Sequence, residues 1–471
     1  MKYDYHIIVI GAGSAGLTIA SGAAGLGANV ALLENHKMGG DCLNYGCVPS
    51  KTFLRSAHLA KDISRAAEFA LDANLNIPDL KAVMRRVKKV IAEIEPHDSR
   101  ERYESLGVKV FMGESSLIDN HTVKTGDKTI TGKKIVIATG SKARIPDLPG
   151  LNEVSYLTNK TIFDLEKLPT HLMIIGGGPI GLELGQGFRH LGSRVTIIDR
   201  NEHLFPKDDP EVWDVMKKVL QDDGVELLLQ SKVNAVSQKD KEITIEIKTS
   251  KGIEFISGDA LLVSSGRIPD TEGLGLANIG IKTDKRGYII TDRSMRTSTK
   301  NIFAAGDVTG PFQFTHMAGY QGGKVVPNAL MNLRQKANYN IVPWTTYTKP
   351  EVAHVGYTEP WAKKLGIFKE SIISQLNEND RAKSENDRAG FLKLILGKKG
   401  KIIGATLVSE KAGEMIPLAS MAITKGMKAS AFASLIFSYP TEAEIFQRLS
   451  FNYLKRSLKP WMKNLIKSLF L

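Results

Sequence analysis

The chain has 471 residues, 42% of them hydrophobic and 24% charged, with a formal net charge of +13. This length suits about three domains, each with its own core. The positive charge does not indicate nucleic-acid binding, because no clustered basic patch occurs within a recognisable binding module. The sequence contains no run of 18 apolar residues, so it predicts no membrane span. The N-terminus shows no secretory signal pattern, and we therefore expect a cytoplasmic protein.

Residues 4–34 have the pattern of a dinucleotide-binding unit, in which a glycine turn and a helix connect two strands. His6–Ile10 is predicted as a buried parallel strand, and residues 29–34 as the second strand. Glycines permit a tight turn and close approach of the backbone to a pyrophosphate, which the helix N-terminus faces. Glu34 lies 23 positions after Gly11, where an acid accepts hydrogen bonds from a ribose. The turn residues predicted to bind the cofactor are Gly11, Gly13, Ser14, Ala15 and Gly16.

Cys42 and Cys47 are the only two cysteines of the chain. Two thiols this close predict a redox pair, although two structural cysteines or part of a metal site are alternatives. Residues five apart in a regular helix have Cα atoms roughly 8–9 Å apart, which exceeds the ~7 Å limit for a disulfide. A disulfide here therefore requires a distorted turn, which Gly46 and Pro49 are expected to help form. Such a bridge is readily reduced, as a catalytic pair must be.

A second unit of the same kind occupies residues 172–199, with a glycine turn at Gly176, Gly178 and Gly181. Two units predict two dinucleotides, one a flavin and one a nicotinamide, because a dithiol accepts hydride poorly without a flavin relay. Asp199 ends the second strand, where a carboxylate accepts from a free 2′-hydroxyl and repels a 2′-phosphate. This favours NADH over NADPH. The neighbouring Arg194 and Arg200 keep NADPH open as the alternative.

Four further segments complete a specific set of motifs that extends from residue 4 to about residue 450. They are Ile135–Ser141, Ser265–Asp270, Asn301–Asp307 and Lys349–Glu359. With the glycine turns and the cysteine pair, they resemble the class I pyridine nucleotide-disulfide oxidoreductases, the family of dihydrolipoamide dehydrogenase, glutathione reductase and mercuric reductase. The resemblance implies an α/β fold with two Rossmann-like domains, for FAD and NAD(P), and a C-terminal α+β dimerisation domain.

The resemblance also assigns residues to the FAD site. The first unit is expected to bind FAD, with Glu34 on the adenosine ribose and Asp307 on the ribityl chain. The other residues that the family motifs imply for cofactor binding are Gly40, Asp41, Lys51, Ala138, Thr139, Gly140, Glu183, Gly266, Arg267 and Gly306.

The same resemblance gives the two cysteines different roles. Cys47 corresponds to the charge-transfer thiol against the isoalloxazine, and Cys42 to the interchange thiol that faces the substrate. Lys51, one helical turn beyond Cys47, is expected to pair with Glu183 near the reactive edge of the flavin. The alternative is that Lys51 and Glu183 are two unrelated charges on helix surfaces.

The expected domains follow the motifs along the chain. They are an FAD-binding domain at 1–155 and 268–335, an NAD(P)-binding domain at 156–267, a dimerisation domain at 336–450, and a basic amphipathic tail at 451–471. Within the dimerisation domain, Phe391–Leu396 and Lys401–Thr406 alternate around a glycine-containing turn and predict a hairpin. The resemblance implies a homodimer in which each active site takes residues from the partner chain.

One position departs from the disulfide reductases of this family, which have a histidine before a Pro-Thr pair and a glutamate that holds it. Here Tyr439 occupies the histidine position, whereas Glu444 is kept. Free tyrosine has a pKa of about 10 and exchanges protons poorly at neutral pH, and general acid–base help contributes about 10² to 10⁴ in rate. We therefore expect poor dihydrolipoamide dehydrogenase or glutathione reductase activity. Alternatively, Tyr439 is a packing residue that fills the histidine space.

Mercuric reductases also carry tyrosine near this position, which makes a soft metal ion the closest analogy for the acceptor. The given sequence shows neither the N-terminal metal-binding module nor the C-terminal cysteine pair of those enzymes, so we expect mercury to be handled inefficiently. The predicted function is electron transfer from NAD(P)H through FAD to the Cys42–Cys47 disulfide and on to a small disulfide or soft-metal acceptor. Dihydrolipoamide dehydrogenase activity, electron transfer to a quinone or protein partner at a membrane surface, and a flavin-binding scaffold without turnover are the alternatives.

The tail supports the membrane alternative. After Glu444 the chain has six Lys or Arg and no acidic residue, and Pro460 is expected to break or restart the helix. Such a basic amphipathic helix either contacts an anionic membrane surface, at the inner face of the membrane, or packs on the protein, and both remain open. Leu454, Leu458, Trp461, Leu465 and Leu469 form its apolar stripe, with Met462 and Ile466 beside it, and Lys455, Lys459, Lys463 and Lys467 lie on another face.

Overall fold

The computed structural model describes residues 2–76, 79–458, 460–461 and 467–469. The helices are α1 (Ser14–Gly25), α2 (Gly40–Asn44), α3 (Cys47–Ser64), α4 (Leu80–Ile94), α5 (Arg100–Ser105), α6 (Pro179–His190), α7 (Pro210–Asp222), α8 (Thr315–Leu330), α9 (Glu359–Lys364), α10 (Asp380–Ser384), α11 (Ala412–Thr424) and α12 (Glu444–Ser457). In the described part of the chain, no helix is both long and apolar enough to cross a membrane.

The strands are β1 (Tyr5–Ile10), β2 (Val30–Glu34), β3 (Val108–Met112), β4 (Ser115–Leu117), β5 (Thr122–Thr125), β6 (Lys128–Ile137), β7 (Ser141–Ala143), β8 (Tyr156–Leu157), β9 (His171–Ile175), β10 (Arg194–Ile198), β11 (Val225–Leu228), β12 (Lys232–Lys239), β13 (Glu242–Thr249), β14 (Gly252–Gly258), β15 (Ala260–Val263), β16 (Arg267–Pro269), β17 (Ile302–Ala304), β18 (Pro343–Thr346), β19 (Glu351–Gly356), β20 (Glu370–Gln375), β21 (Phe391–Leu396) and β22 (Ile402–Ser409).

The chain forms two compact units, and both are discontinuous in sequence. The first comprises Met1–Arg200 and Leu228–Asn338, and the second comprises Asn201–Leu227 and Tyr339–Leu471. The finer division by cofactor, with boundaries near residues 155, 267, 335 and 450, stays a prediction.

The first unit contains a seven-stranded sheet in the order β3-β2-β1-β6-β5-β4, with β17 also beside β6. Strand β1 pairs in parallel with β2 and β6, with Val9 opposite Leu32 and Val136. Val9 is fully buried, as expected for a parallel strand covered on both faces. At the turn into α1, Gly11 has a φ of +105°, and a Cβ placed on it would lie 2.4 Å from Ala138 O. Only glycine fits this turn.

A second parallel arrangement in the first unit runs β10-β9-β15-β8. It repeats the geometry of the first, because Gly176 has a φ of +109° and a Cβ on it would lie 2.6 Å from Ser264 O. An antiparallel sheet β12-β13-β14 and a two-stranded sheet β7–β16 complete this unit. The two predicted strand–turn–helix–strand units are therefore confirmed.

The second unit is built on a five-stranded antiparallel sheet in the order β18-β19-β22-β21-β20. The predicted hairpin is β21–β22, and its second strand begins at Ile402 and continues to Ser409, beyond the predicted end. Buried side chains of this sheet, such as Leu394 and Leu407, form one core with Ile416 of α11 and Phe446 of α12. The α/β fold with a C-terminal α+β unit is confirmed.

Candidate active site

The cysteine pair lies where one helix stops and another starts. Helix α2 ends at Asn44 and α3 begins at Cys47, and the break is at Gly46, with a φ of −120° and a ψ of −107°. The predicted distortion is present at Gly46. Pro49 lies in the first turn of α3, and because it has no N–H to donate to Tyr45 O, its position agrees with a break between α2 and α3. The two cysteines are free thiols in this structure.

The two thiols have opposite proton affinities. The hydrogen bond from Cys42 is the largest effect that lowers the pKa of Cys47, to about 6, with further help from Thr315 and the charge of Lys51. The same contact with Cys47, together with burial, raises the pKa of the Cys42 thiol. At neutral pH the pair therefore consists of a Cys47 thiolate that accepts a hydrogen bond from a Cys42 thiol.

Thr315 is a member of this site that the sequence did not predict. Its Oγ1 lies 3.3 Å from Cys47 Sγ, across 268 residues of sequence. It begins α8, and its carbonyl oxygen accepts a hydrogen bond of 3.1 Å from Ser14 Oγ in the first glycine turn. A local pattern gave no signal for Thr315, because the contact joins the first residues of α8 and α3, which lie 268 positions apart.

The expected pairing of Lys51 with Glu183 is present. Lys51 Nζ donates to Glu183 Oε2 at 2.7 Å, and the Glu183 side chain is only 7% exposed. Lys51 lies on α3, one turn after Cys47, and Glu183 lies on α6 of the second dinucleotide unit. The contact thus joins α3 to α6 within the first unit, and it places opposite charges near the Cys47 thiolate.

Each dinucleotide unit has an acid at the end of its second strand, and both acids accept a hydrogen bond from the glycine turn of their own unit. Ala12 N donates to Glu34 Oε2 at 2.7 Å, and Gly177 N donates to Asp199 Oδ2 at 2.7 Å. Each carboxylate is thereby held beside a helix N-terminus. Neither α1 nor α6 has a side-chain cap at its N-terminus, so backbone N–H groups there can bind a pyrophosphate. Both sites fit a dinucleotide.

Four sequence motifs meet in one network of hydrogen bonds. Arg267 Nη2 donates to Asp41 Oδ2 at 2.7 Å, and Arg267 Nε donates to Ser141 Oγ at 2.8 Å. Ser141 Oγ in turn donates to Asp307 Oδ2 at 2.7 Å. Burial raises the pKa of Asp307, while Ser141 and Arg267 favour its charged form. Asn159, which was also not predicted, adds a donor to Asp41 at 3.3 Å.

The second unit carries the other two predicted catalytic residues. Tyr439 is 72% exposed, and its hydroxyl lies 3.4 Å from Asp380 Oδ2. Glu444 is the first residue of α12, and its Oε2 accepts a hydrogen bond of 3.0 Å from Thr441 N. The role of Tyr439 in proton exchange and the alternative that it fills the histidine space both stay predictions.

The tail is partly described. Helix α12 ends at Ser457, so the first residues of the tail continue this helix. The described apolar side chains are exposed, from 36% at Leu458 to 60% at Trp461 and 62% at Leu469. Lys459, Met462, Lys463, Leu465 and Ile466 of the predicted stripes lie outside the described residues.

Residues 5–322 match the family model described as pyridine nucleotide-disulphide oxidoreductase, and residues 342–450 match the dimerisation domain of this family. Mercuric reductase of Staphylococcus aureus is 36% identical over 442 residues, which cover 94% of this chain and 81% of the relative. Dihydrolipoyl dehydrogenase of Geobacillus stearothermophilus is 34% identical over 454 residues, which cover 94% of each chain.

Solved structures agree with these relatives. The HOCl-induced flavoprotein disulfide reductase RclA from Escherichia coli superimposes with a TM-score of 0.84 at 29% identity, covering 95% of this chain and 99% of RclA. LpdA from Mycobacterium tuberculosis superimposes with a TM-score of 0.87 at 27% identity, covering 95% of this chain and 99% of LpdA. The dimerisation-domain match indicates a homodimer. The chain therefore belongs to the pyridine nucleotide-disulphide oxidoreductase family, as an FAD-dependent enzyme that uses a pyridine nucleotide.

Proposed function

We propose that the enzyme delivers electrons from NADH through the Cys42–Cys47 pair to a small disulfide or a soft metal ion. Bound FAD supplies the carrier that takes hydride from the nicotinamide and passes the electron pair to the disulfide. Residues of both glycine turns, with Glu34, Asp199 and the Arg267 network, hold the two dinucleotides. The observation that carries the proposal is the asymmetry of the thiols, with a stabilised Cys47 thiolate beside a protonated Cys42.

With a disulfide acceptor, the chemistry is thiol–disulfide exchange. Cys42 loses its proton and its sulfur attacks one sulfur of the acceptor, while the other sulfur leaves and takes the proton. The Cys47 thiolate then attacks Cys42, which re-forms the Cys42–Cys47 disulfide and releases the second acceptor thiolate. The acceptor gains two electrons and the pair loses two. Lys51 and Thr315 stabilise the Cys47 thiolate until this second attack.

A soft metal ion is the second acceptor class, because thiolates bind soft metals strongly. A mercuric reductase stands among the relatives at 36% identity, and RclA was solved as a Cu(II) complex, which superimposes with a TM-score of 0.85 at 29% identity. Here the dithiol loses two electrons and two protons and ends as the disulfide, and these electrons reduce one Hg(II) to Hg(0) or two Cu(II) to two Cu(I). Dihydrolipoamide oxidation, the activity in the name of another relative, remains the alternative.

An acceptor screen on the full-length holoenzyme tests this proposal. Lipoamide, oxidised glutathione, Hg(II), Cu(II) and a quinone are each supplied with NADH or NADPH, and nucleotide oxidation is followed by absorbance. We expect turnover with at least one disulfide or soft metal. Turnover with the quinone alone, unchanged in Cys42→Ser, would contradict the proposal and favour direct electron transfer from the flavin.

The acidity of Cys47 gives a direct prediction. Because its pKa is about 6, iodoacetamide labelling of Cys47 in the reduced holoenzyme should be constant above pH 7 and fall tenfold per pH unit below 6. Thr315→Val keeps the shape of the side chain and removes the hydroxyl. The midpoint of the pH dependence of Cys47 labelling should therefore rise by about one pH unit. Thr315→Ser is the matched control and should leave it unchanged. Peptide mass spectrometry measures the labelling, and identical midpoints for all three proteins would exclude this role for Thr315.

We infer a preference for NADH from Asp199, whose carboxylate is held at the second glycine turn. A hydrogen bond to a charged group contributes about 1.5–3 kcal/mol, so Asp199→Ala should lower kcat/KM for NADH by about 10- to 100-fold. The same change should leave kcat/KM for NADPH equal or higher, because it removes repulsion of the 2′-phosphate. Steady-state kinetics with both nucleotides measure this, and a parallel loss for both would contradict the preference.

The tail supports a second proposal, a peripheral contact with an anionic membrane at the inner face of the cytoplasmic membrane. The family match ends at residue 450, beyond which exposed apolar side chains accompany a run of cations without acids. Full-length enzyme should co-sediment with vesicles that contain phosphatidylglycerol, and a chain ending at Phe451 should not. Equal partition of the two proteins would remove this proposal.

A further inference from the structure

Ser14 connects the first glycine turn with the redox thiols. It is the first residue of α1, and its Oγ donates to Thr315 O at 3.1 Å, across 301 positions of sequence. Thr315 is in turn the first residue of α8, and its Oγ1 lies 3.3 Å from Cys47 Sγ. One hydrogen bond therefore joins the turn that is expected to bind the FAD pyrophosphate to the residue beside the thiolate.

The direction of this bond leaves Ser14 with nothing to donate to a phosphate. A serine hydroxyl has a single hydrogen, and Thr315 O takes it, because a carbonyl oxygen only accepts. The N-cap residue of α1 is Gly13, which has no side chain, so the first backbone N–H groups of α1 can bind the pyrophosphate. Ser14 thus offers its backbone to the cofactor and its hydroxyl to α8.

Close packing of α1 and α8 keeps the hydroxyl and the carbonyl together. A Cβ placed on Gly322 of α8 would lie 3.1 Å from Ala15 O and 3.2 Å from Thr18 Cβ, so α8 would have to shift by a few tenths of an ångström to accept it. Gly322 follows Thr315 by about two helical turns, which places both residues on the same face of α8. The spacing of the two helices and the position of Thr315 are therefore set together.

We propose that Ser14 is a positioning residue for the Cys47 thiolate, and that it acts by holding the start of α8 so that the Thr315 hydroxyl meets the sulfur. The inference rests on the proposed function, in which this thiolate persists until the second attack. Thr315 needs a fixed position, because a hydrogen bond to a charged group is strong only at short distance and good angle.

Three other groups act on the charge of Cys47, and they belong to other helices. Its partner thiol Cys42 lies on α2, Lys51 lies on α3 with Cys47, and Glu183 lies on α6. Ser14 and Thr315 begin α1 and α8. A substitution at Ser14 therefore changes the thiolate through Thr315 and not through these three groups.

A double-mutant cycle tests whether Ser14 acts through Thr315. Iodoacetamide labelling of Cys47 in the reduced holoenzyme is followed against pH in wild type, Ser14→Ala, Thr315→Val and the double variant. Ser14→Ala should raise the midpoint of labelling by about half a pH unit, less than Thr315→Val, because the threonine hydroxyl remains. In the Thr315→Val background, Ser14→Ala should cause no further rise. Equal shifts in both backgrounds, or no shift in either, would overturn the proposal.

Release of FAD separates this role from cofactor binding. Ser14→Ala keeps the backbone N–H of residue 14, so the Kd for FAD, measured from free-flavin fluorescence on dilution of the holoenzyme, should stay within about threefold of wild type. A rise of more than about tenfold would show that the hydroxyl itself binds the pyrophosphate. That result would overturn the division between backbone and hydroxyl.

Two adjacent glycines of α8 give a matched pair of variants that leaves Ser14 in place. Gly322→Ala should also raise the midpoint of Cys47 labelling, because the new Cβ pushes α8 away from α1. Gly323→Ala is the control and should leave the midpoint unchanged, because a Cβ there points into open space among the described residues. Equal midpoints for these two variants would contradict the link between helix spacing and the thiolate. None of these measurements uses an electron acceptor, so their outcome is independent of the acceptor screen.

Discussion

Cys42→Ser should abolish turnover with every disulfide or soft-metal acceptor, with a loss of at least about a thousandfold. A serine hydroxyl is a far weaker nucleophile than a thiol and forms no disulfide with Cys47. In the proposed mechanism Cys42 is the sulfur that attacks the acceptor, so its replacement removes this nucleophile. Steady-state NADH oxidation with the acceptor found in the screen measures the effect.

Cys47→Ser serves as the companion variant. It should lose turnover to a similar degree, because Cys42 then has no partner that can complete the exchange. Both variants should still pass electrons from NADH to ferricyanide, a one-electron acceptor that takes them from the flavin without a dithiol. If either variant kept wild-type turnover with the disulfide or metal, the pair would not be the route of the electrons.

Tyr439→His should raise turnover with lipoamide by about 10²-fold, the lower end of what general acid–base help contributes. Histidine exchanges a proton near neutral pH, whereas free tyrosine does so only near pH 10. The position tolerates the change because Tyr439 is mostly exposed. The gain should follow a pH profile with an inflection in the range of histidine titration, measured as kcat/KM for lipoamide between pH 5.5 and pH 9.

Tyr439→Phe separates the hydroxyl from the ring. If Tyr439 only occupies the histidine position, Phe should leave turnover with the native acceptor within about twofold of wild type. A loss comparable to that expected for Cys42→Ser would instead show that the tyrosine hydroxyl takes part in the reaction. No gain in Tyr439→His would mean that residue 439 does not reach the dithiol of the partner chain, contrary to the expected dimer.

The strongest sequence predictions concern short segments. The strand before Gly11 and the repeat of that unit before Gly176 were visible because a buried strand, a glycine turn and a helix follow each other within about 30 residues. The break between Cys42 and Cys47 followed from helix geometry alone.

Contacts between segments that are distant in the sequence could be predicted only where a family motif implied them. The pairing of Lys51 with Glu183, 132 residues apart, was predicted through the resemblance. Thr315 beside Cys47 and Asn159 beside Asp41 were not, because no local periodicity reports which side chains meet when helices and loops pack.

The sequence by itself determined the fold class, the two dinucleotide units and the pair of cysteines that react, because these depend on backbone geometry and hydrophobic pattern within short stretches. Only the tertiary structure shows the contacts that lower the pKa of Cys47, which are the hydrogen bond from Cys42, then the hydrogen bond with Thr315 of α8, and the charge of Lys51. It also placed the buried Lys393 3.3 Å from the buried Asp209, although 184 positions separate the two residues in the sequence. Folding creates such contacts between residues that are far apart in the sequence, so no short segment predicts them.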